Sequence, residues 1–163
     1  MIIGIDFGTS NTDIAIYQNG EKDFFSMPSE QINDEILEKI FNFVEIDTSN
    51  LEKIAVTGGK SSDLSNSINN IPIIKINEVD AIGYGAIELY DLENKSFVAV
   101  SAGTGTACIF HENKKFNHLG GISLGGGTLL GLSNSLLNTS TVSELEELSK
   151  KGNRQNLDLL IGE

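Results

Sequence analysis

Three glycine-rich stretches are the part of this sequence best suited to hold phosphate. Glycine lets backbone N–H groups approach a ligand closely, and Ser and Thr hydroxyls add further hydrogen-bond donors. A single stretch of this kind is more often an ordinary turn. Three of them, each between a strand and its partner or a helix, predict a cleft for a polyphosphate. The predicted contact residues are Gly8, Thr9, Ser10, Asn11, Thr12, Gly103, Thr104, Gly105, Gly126, Gly127 and Thr128.

Two carboxylates stand beside these stretches. Asp6 ends the first apolar run, where it is placed to hold Mg²⁺ through water; the alternative is an aspartate that stabilises the turn. Glu78 lies between an apolar run and a helix rich in small residues, so it is a candidate base for phosphoryl transfer. The alternative for Glu78 is a first-turn helix residue favoured by the macrodipole, and Asp80 is predicted as the N-cap.

The charge of the chain limits its partners. There are 23 acidic and 11 basic residues, a net charge of −12. Such a surface repels nucleic acid and anionic membranes. A bound nucleotide must therefore be held by backbone N–H groups, helix N-termini and a divalent cation rather than by a lysine-rich patch.

The elements that must position these residues fall into two similar units. The first opens with three strands, at 2–6, 13–17 and 22–27, with a hairpin turn at Asn19-Gly20. Ser29 is predicted to cap a helix that presents apolar residues at helical spacing, from Ile32 to Val44. Later elements are a strand at 53–56, a short helix at 61–68, a strand at 73–76 and a helix at 80–89. In that last helix, Ala81, Gly83, Gly85 and Ala86 should permit close packing.

The second unit repeats the three-strand opening at 97–102, 107–111 and 116–119. A helix should follow Gly127, and another should span 141–150, with a capping box of Thr141 and Glu144 and an end at Gly152. Asn153 is predicted to cap a last helix through 160. This order predicts a complete ribonuclease-H-like α/β domain at 1–93 and the first part of a second at 94–163. An unfinished second domain should leave a sheet edge and an apolar face bare, so we expect a homodimer or a partner chain.

The remaining composition indicates a cytoplasmic protein. The single cysteine, Cys108, lies in an apolar run and has no second thiol to pair with, which is typical of a reducing compartment. No apolar run approaches the ~20 residues needed to cross a bilayer. The first residues become polar at once and carry no basic leader.

Several motifs resemble a known family. IGIDFGTSNTDIAI and VAVSAGTGTACIF resemble the two phosphate motifs of the actin, sugar-kinase and Hsp70 superfamily. Four further stretches look like type II pantothenate kinases: VTGG, NEVDAIGYG, LGGISLGGGTLLGL and LEELSKKGNRQNLDLLIG. These motifs occur in collinear order along most of the chain.

The resemblance implies an ATP- and Mg²⁺-dependent kinase that phosphorylates pantothenate, the first step of coenzyme A synthesis. In that family the residue matching Glu78 is the catalytic base, and loops matching Gly8 to Asp13, Thr104 and Gly126 to Thr128 contact ATP. Two positions depart from the family pattern. Asp13 stands where a lysine usually reaches the phosphates. His118 stands where an arginine helps to hold pantothenate, and we expect it to contact the substrate.

Two other functions are kept open. Activators of acyl-CoA dehydratases share the phosphate motifs but hydrolyse ATP, and they carry bridging cysteines that Cys108 matches poorly. A degenerate nucleotide-binding or regulatory subunit is favoured by Asp13, by His118 and by the expected absence of the second domain's last strands.

Overall fold

The computed structural model describes residues 1–59, 61–153 and 156, with Asp34 as backbone alone. In this part of the chain the strands form two sheets. One has the order β3-β2-β1-β4-β6-β5 and the other β7-β8-β9. The strands are β1 (Ile2–Phe7), β2 (Asn11–Gln18), β3 (Glu21–Pro28), β4 (Lys53–Thr57), β5 (Ser67–Ile68), β6 (Ile71–Lys75), β7 (Phe97–Ala102), β8 (Thr106–Glu112) and β9 (Lys115–Ile122). The helices are α1 (Asp34–Phe43), α2 (Glu78–Tyr90), α3 (Gly126–Leu137) and α4 (Val142–Lys151).

The first sheet begins as the antiparallel meander β1-β2-β3. Asn19 and Gly20 both have positive φ, 53° and 89°, as a tight hairpin turn requires, so the predicted turn is confirmed. β4 then pairs parallel with β1, and β6 parallel with β4. The carboxyl ends of β1 and β4 therefore meet at one edge of the sheet.

Helix α1 covers one face of this sheet and encloses the main core. Its cap is Asn33, whose side chain accepts the N–H of Ile36 at 3.0 Å. The predicted cap, Ser29, is wrong, because its hydroxyl instead donates to the carbonyl of Gly8 at 2.6 Å. The core consists of the aliphatic and aromatic side chains of β1, β2, β4, β6, α1 and their connections: Ile3, Ile5, Phe7, Ile14, Ile16, Ile36, Leu37, Ile40, Phe41, Val44, Leu51, Ile54, Val56, Leu64, Ile71 and Ile73.

The helix predicted at 61–68 is wrong. A single 3₁₀ turn at Ser61–Asp63 is followed by the short strand β5, which pairs antiparallel with β6. Asn69 and Asn70 form the connecting turn with φ of 50° and 65°. Asparagine tolerates this left-handed region, and this turn chemistry was missed in the sequence.

Helix α2 leaves the first sheet and packs on the second. It begins at Glu78, with Asn77 as the cap, accepting the N–H of Val79 at 2.9 Å, so the predicted cap Asp80 is wrong. Gly83 permits the close approach, since a Cβ there would lie 2.3 Å from the Phe116 ring. Gly85 has no such neighbour, so close packing depends on Gly83 and not on Gly85.

Helices α3 and α4 follow the second sheet in sequence. The predicted capping box of α4 is wrong, because Thr141 makes no side-chain cap and Glu144 bonds to Thr139 Oγ1 at 2.5 Å. The predicted end at Gly152 is confirmed. The helix predicted from Asn153 through 160 falls outside the described residues.

The predicted domain boundary, between 93 and 94, lies in the connection from α2 to β7. None of the helices in the described ranges is both long and apolar enough to cross a membrane.

Candidate active site

A cleft of about 930 Å³ lies where the openings of the two units face each other. Its lining joins the three glycine-rich stretches to both candidate carboxylates. Of the predicted residues, the cleft is lined by Asp6, Gly8, Thr9, Ser10, Asn11, Asp13, Glu78, Gly103, Thr104, Gly105, Gly126 and Gly127.

Three predicted residues do not line the cleft. Thr12 is 2% exposed within β2. Thr128 turns its hydroxyl to the carbonyls of Thr104 and Ser123, at 2.7 and 2.8 Å. His118, the predicted substrate contact, lies exposed on β9, opposite Ile109 of β8.

The first loop is the turn from β1 to β2. A Cβ at Gly8 would lie 2.7 Å from the Asn11 carbonyl, so the tight turn requires glycine. Ser29 braces this loop from the end of β3: its N–H donates to the Ser10 carbonyl at 3.1 Å and its hydroxyl to the Gly8 carbonyl at 2.6 Å. The sequence analysis did not predict that Ser29 braces this loop. The position of Ser29 directly after the third strand could have indicated it.

The second loop, between β7 and β8, is joined to the start of α3. The N–H groups of Gly127 and Thr128 donate to the carbonyls of Gly103 and Thr104, at 3.1 and 3.2 Å. A Cβ at Gly125 would lie 2.4 Å from the Gly105 carbonyl, so this contact also needs glycine. Two first-turn amides of α3 thus hold the loop, whereas the sequence led us to expect them to face an anion.

The two loops also touch each other. Ser10 Oγ lies 2.9 Å from Thr104 Oγ1. A Cβ at Gly127 would be 3.0 Å from Thr104 Oγ1 and 3.1 Å from Ser10 Oγ. Both glycine loops and the start of α3 therefore converge at one point of the cleft.

The carboxylates gather at the ends of β1 and β2. Asp6 is paired with Asp13 across the two strands. The pKa of Asp6 is raised above its ordinary value, first by partial burial and then by the negative charges of Glu78 and Asp13. Asp6 therefore lies close enough to both other carboxylates for their charges to act on it.

Gly58 makes room for Asp6 at the neighbouring strand end. Its φ is +76°, and a Cβ there would lie 2.3 Å from Asp6 Oδ1. The sequence analysis gave Gly58 no role in the site. Its position after β4 could have indicated one, because β4 runs parallel to β1 and the two strands end side by side.

The oxygen donors near Asp6 suit a hard divalent cation. Thr57, paired with Asp6 in β4, has a buried Oγ1 that lacks a hydrogen-bond partner within the described structure. Among described residues no three His, Cys, Asp or Glu side chains form a metal-binding group. Mg²⁺ commonly keeps several waters and takes one or two protein carboxylates, so Asp6 and the Thr57 hydroxyl fit it.

The sequence is similar to those of known proteins. The family model described as Fumble matches residues 7–163. A type II pantothenate kinase of Bacillus cereus (strain AH820) is 34% identical over 99% of this chain, and one of Oceanobacillus iheyensis is 28% identical over 98%. The chain spans 58% of the length of each of these relatives.

Solved structures show the same fold. The activator of the 2-hydroxyisocaproyl-CoA dehydratase from Clostridium difficile, with bound ADPNP, aligns with a TM-score of 0.60 at 18% identity, over 99% of this chain and 60% of that one. A putative N-acetylglucosamine kinase from Porphyromonas gingivalis aligns with a TM-score of 0.57 at 18% identity, over 96% and 64%. The predicted fold class is thereby confirmed. Because the family model covers nearly all of its residues, the chain belongs to the Fumble family, whose curated relatives here are type II pantothenate kinases.

Proposed function

We propose that this protein transfers a phosphoryl group from ATP to a small hydroxyl compound, with pantothenate as the leading acceptor. The observation that carries the proposal is that Glu78 and all three glycine-rich stretches line one cleft between the two units. The pantothenate kinases among the relatives suggest pantothenate as the acceptor. They also favour a kinase over a dehydratase activator or a degenerate subunit.

The polyphosphate of ATP would lie against the two glycine loops. Gly8 to Asn11 come from the first unit and Gly103 to Gly105 from the second, so both units would hold the nucleotide. The Ser10 and Thr104 hydroxyls, now bonded to each other, would exchange that bond for phosphate oxygens. Binding would therefore part the loops by a small distance.

Glu78 would accept the proton of the acceptor hydroxyl. It is the first residue of α2, is exposed, and opens onto the cleft. Its distance from the loops would be set by α2, which is fixed to the second sheet through Gly83. A base on a rigid element is held in position for the reaction.

Asp6 and the Thr57 hydroxyl would hold Mg²⁺. When bound, this ion would neutralise charge on the phosphates. None of the described residues that line the cleft is Lys, Arg or His. The described part of the site would therefore depend on backbone N–H groups and on the metal for positive charge.

The decisive experiment compares Glu78→Gln with Asp80→Asn, a matched loss of a carboxylate in the same exposed first turn. We expect Glu78→Gln to lower kcat by at least ~10² while leaving the calorimetric affinity for Mg·ATP unchanged. Asp80→Asn should alter neither quantity. A fully active Glu78→Gln variant would remove Glu78 from the mechanism.

We also propose that the protein acts in the cytoplasm and associates, either as a homodimer or with a polypeptide that carries further strands. The support is an apolar face of the second sheet left open to solvent, where Val98 and Val100 are 54% and 63% exposed. Such a face favours association.

A further inference from the structure

Ser29 makes two hydrogen bonds to the first glycine loop from behind. Its hydroxyl donates to the carbonyl of Gly8 at 2.6 Å, and its N–H donates to the carbonyl of Ser10 at 3.1 Å. Gly8 and Ser10 line the cleft, whereas Ser29, itself half-buried, does not. The loop therefore lies between Ser29 and the cleft.

These two bonds fix the direction of two peptide groups. In a planar trans peptide the C=O of one residue and the N–H of the next point in opposite directions. Because the carbonyls of Gly8 and Ser10 point at Ser29, the N–H groups of Thr9 and Asn11 point away from it, to the side on which the cleft lies. The Thr9 N–H forms no hydrogen bond with any described residue, so it is open to a ligand.

The direction of these peptides matters because the cleft is acidic. Asp6, Asp13 and Glu78 line it, and its described lining includes no Lys, Arg or His side chain. A bound phosphate would depend on backbone N–H groups, and a peptide turned the other way would present a carbonyl oxygen to it instead. Glycine at position 8 leaves the backbone free to turn in that way. The hydrogen bonds from Ser29 are what hold the loop against this rotation.

The end of β3 explains why a serine at this position can hold the loop. Pro28, the last residue of β3, pairs with Asn11 and has no N–H to donate. Ser29 therefore carries the first N–H beyond the strand and continues the hydrogen bonding between β3 and β2 by one bond, to Ser10. Its hydroxyl then reaches Gly8, so a single residue holds two peptides of the loop.

We propose that Ser29 is a positioning residue for the nucleotide: by holding two loop carbonyls, it directs the N–H groups of Thr9 and Asn11 at the phosphates of ATP. The inference rests on the proposed function, because it takes ATP as the ligand of the first loop. Ser29 itself does not contact the nucleotide. It acts through the loop, so its loss weakens phosphate binding without removing any group that contacts phosphate.

The test compares Ser29→Thr with Ser29→Val, two side chains of the same shape that differ in the hydroxyl. Ser29→Thr should bind Mg·ATP within about twofold of the unmodified chain, whereas Ser29→Val should bind about 5- to 10-fold more weakly, the effect of one neutral hydrogen bond. Isothermal titration calorimetry measures both affinities. Ser49→Ala is the control and should leave the affinity unchanged. Its hydroxyl donates to Asp47 Oδ2 at 2.7 Å just before β4, at the edge of the sheet away from the cleft.

Amide NMR spectra at saturating Mg·ATP separate positioning from stability. In the unmodified chain and in Ser29→Thr, the amide proton resonances of Thr9 and Asn11 should move downfield as these groups bond to phosphate. In Ser29→Val they should move less, while the response of the Gly105 amide, in the second loop, should be unchanged. A substitution that only destabilises the fold lowers the melting temperature but leaves the spectrum of the folded, saturated protein as it was.

The outcomes distinguish this inference from the proposed function. Equal affinities of Ser29→Thr and Ser29→Val, or equal responses of the Thr9 and Asn11 amides in the two variants, would overturn the positioning role. So would an unmodified chain in which Mg·ATP moves neither amide. An amide response that depends on the Ser29 hydroxyl, in a protein that transfers no phosphoryl group, would instead reject the proposed function and support the positioning role.

Discussion

Ser10 Oγ and Thr104 Oγ1 lie 2.9 Å apart although 94 residues separate them in sequence. Each belongs to the glycine loop of its own three-strand meander, so this contact joins the two units at the centre of the cleft. A hydroxyl group can both donate and accept hydrogen bonds, so both side chains are suited to bind phosphate oxygens.

The first prediction concerns Thr104. Thr104→Val keeps the shape of the side chain and removes its hydroxyl, so we expect the affinity for Mg·ATP to fall by roughly 10- to 100-fold, the effect of one hydrogen bond to a charged group. Isothermal titration calorimetry on the associated protein measures it. Thr141→Val is the control, because the Thr141 side chain makes no cap to α4 and is exposed. Equal affinities for the two variants would exclude the second loop from nucleotide binding.

The second prediction uses two glycines of the same helix. A Cβ at Gly131 in α3 would meet no described atom within 4 Å, so Gly131→Ala should stabilise the fold by ~0.5–1 kcal/mol through helix propensity. Gly127→Ala would bring a methyl group to 3.0 Å from Thr104 Oγ1. We therefore expect this variant to show no such stabilisation and to bind nucleotide more weakly. Chemical denaturation and calorimetry give both quantities. A Gly127→Ala variant as stable and as tightly binding as Gly131→Ala would contradict the convergence of the loops on the start of α3.

The third prediction concerns the pH dependence of stability through Asp6. Its pKa is raised in the folded state by burial, by Glu78 and by Asp13, so the folded protein holds that proton more tightly than the unfolded chain does. Stability due to this group is then present at low pH and lost as pH rises through the folded pKa. Asp6→Asn should therefore raise the melting temperature at neutral pH, with the difference disappearing below the unfolded pKa. A lower melting temperature at pH 7 would show that other contacts of the Asp6 carboxylate outweigh its burial and the repulsion from Glu78 and Asp13.

The fourth prediction concerns Asp13, which stands opposite Asp6. Asp13→Lys removes one negative charge from the cleft and adds a positive one, so ATP affinity should rise, and the gain should shrink at high salt because exposed charges are screened. Asp13→Asn, which only removes the charge, should give a smaller gain. Complete loss of Mg²⁺-dependent binding in both variants would instead assign Asp13 to the metal.

Most of the strands and helices, though not β5, and most of the loop residues that line the cleft could be predicted from the sequence by itself. Local signals suffice for these: alternating apolar runs for strands, Asn19-Gly20 for the hairpin, and repeated Gly-Thr turns for the loops. The cap of α2 was misplaced, because Asn77 and Asp80 both suit a helix N-terminus and their spacing does not choose between them. Ser29 is likewise a residue type that suits a helix cap, but in the structure its hydroxyl donates to the Gly8 carbonyl.

Only the tertiary structure decided which of these residues meet. Asp6 and Glu78 lie far apart in sequence, and their electrostatic contact depends on how α2 leaves the first sheet for the second. His118 was predicted beside the substrate but lies exposed on β9, because its place depends on strand register and not on residue type. The same holds for the two α3 amides that bond to the second loop. A sequence specifies which local conformations have low free energy. Long-range contacts depend on how whole faces of helices and sheets pack together, and all the residues of those faces determine this packing.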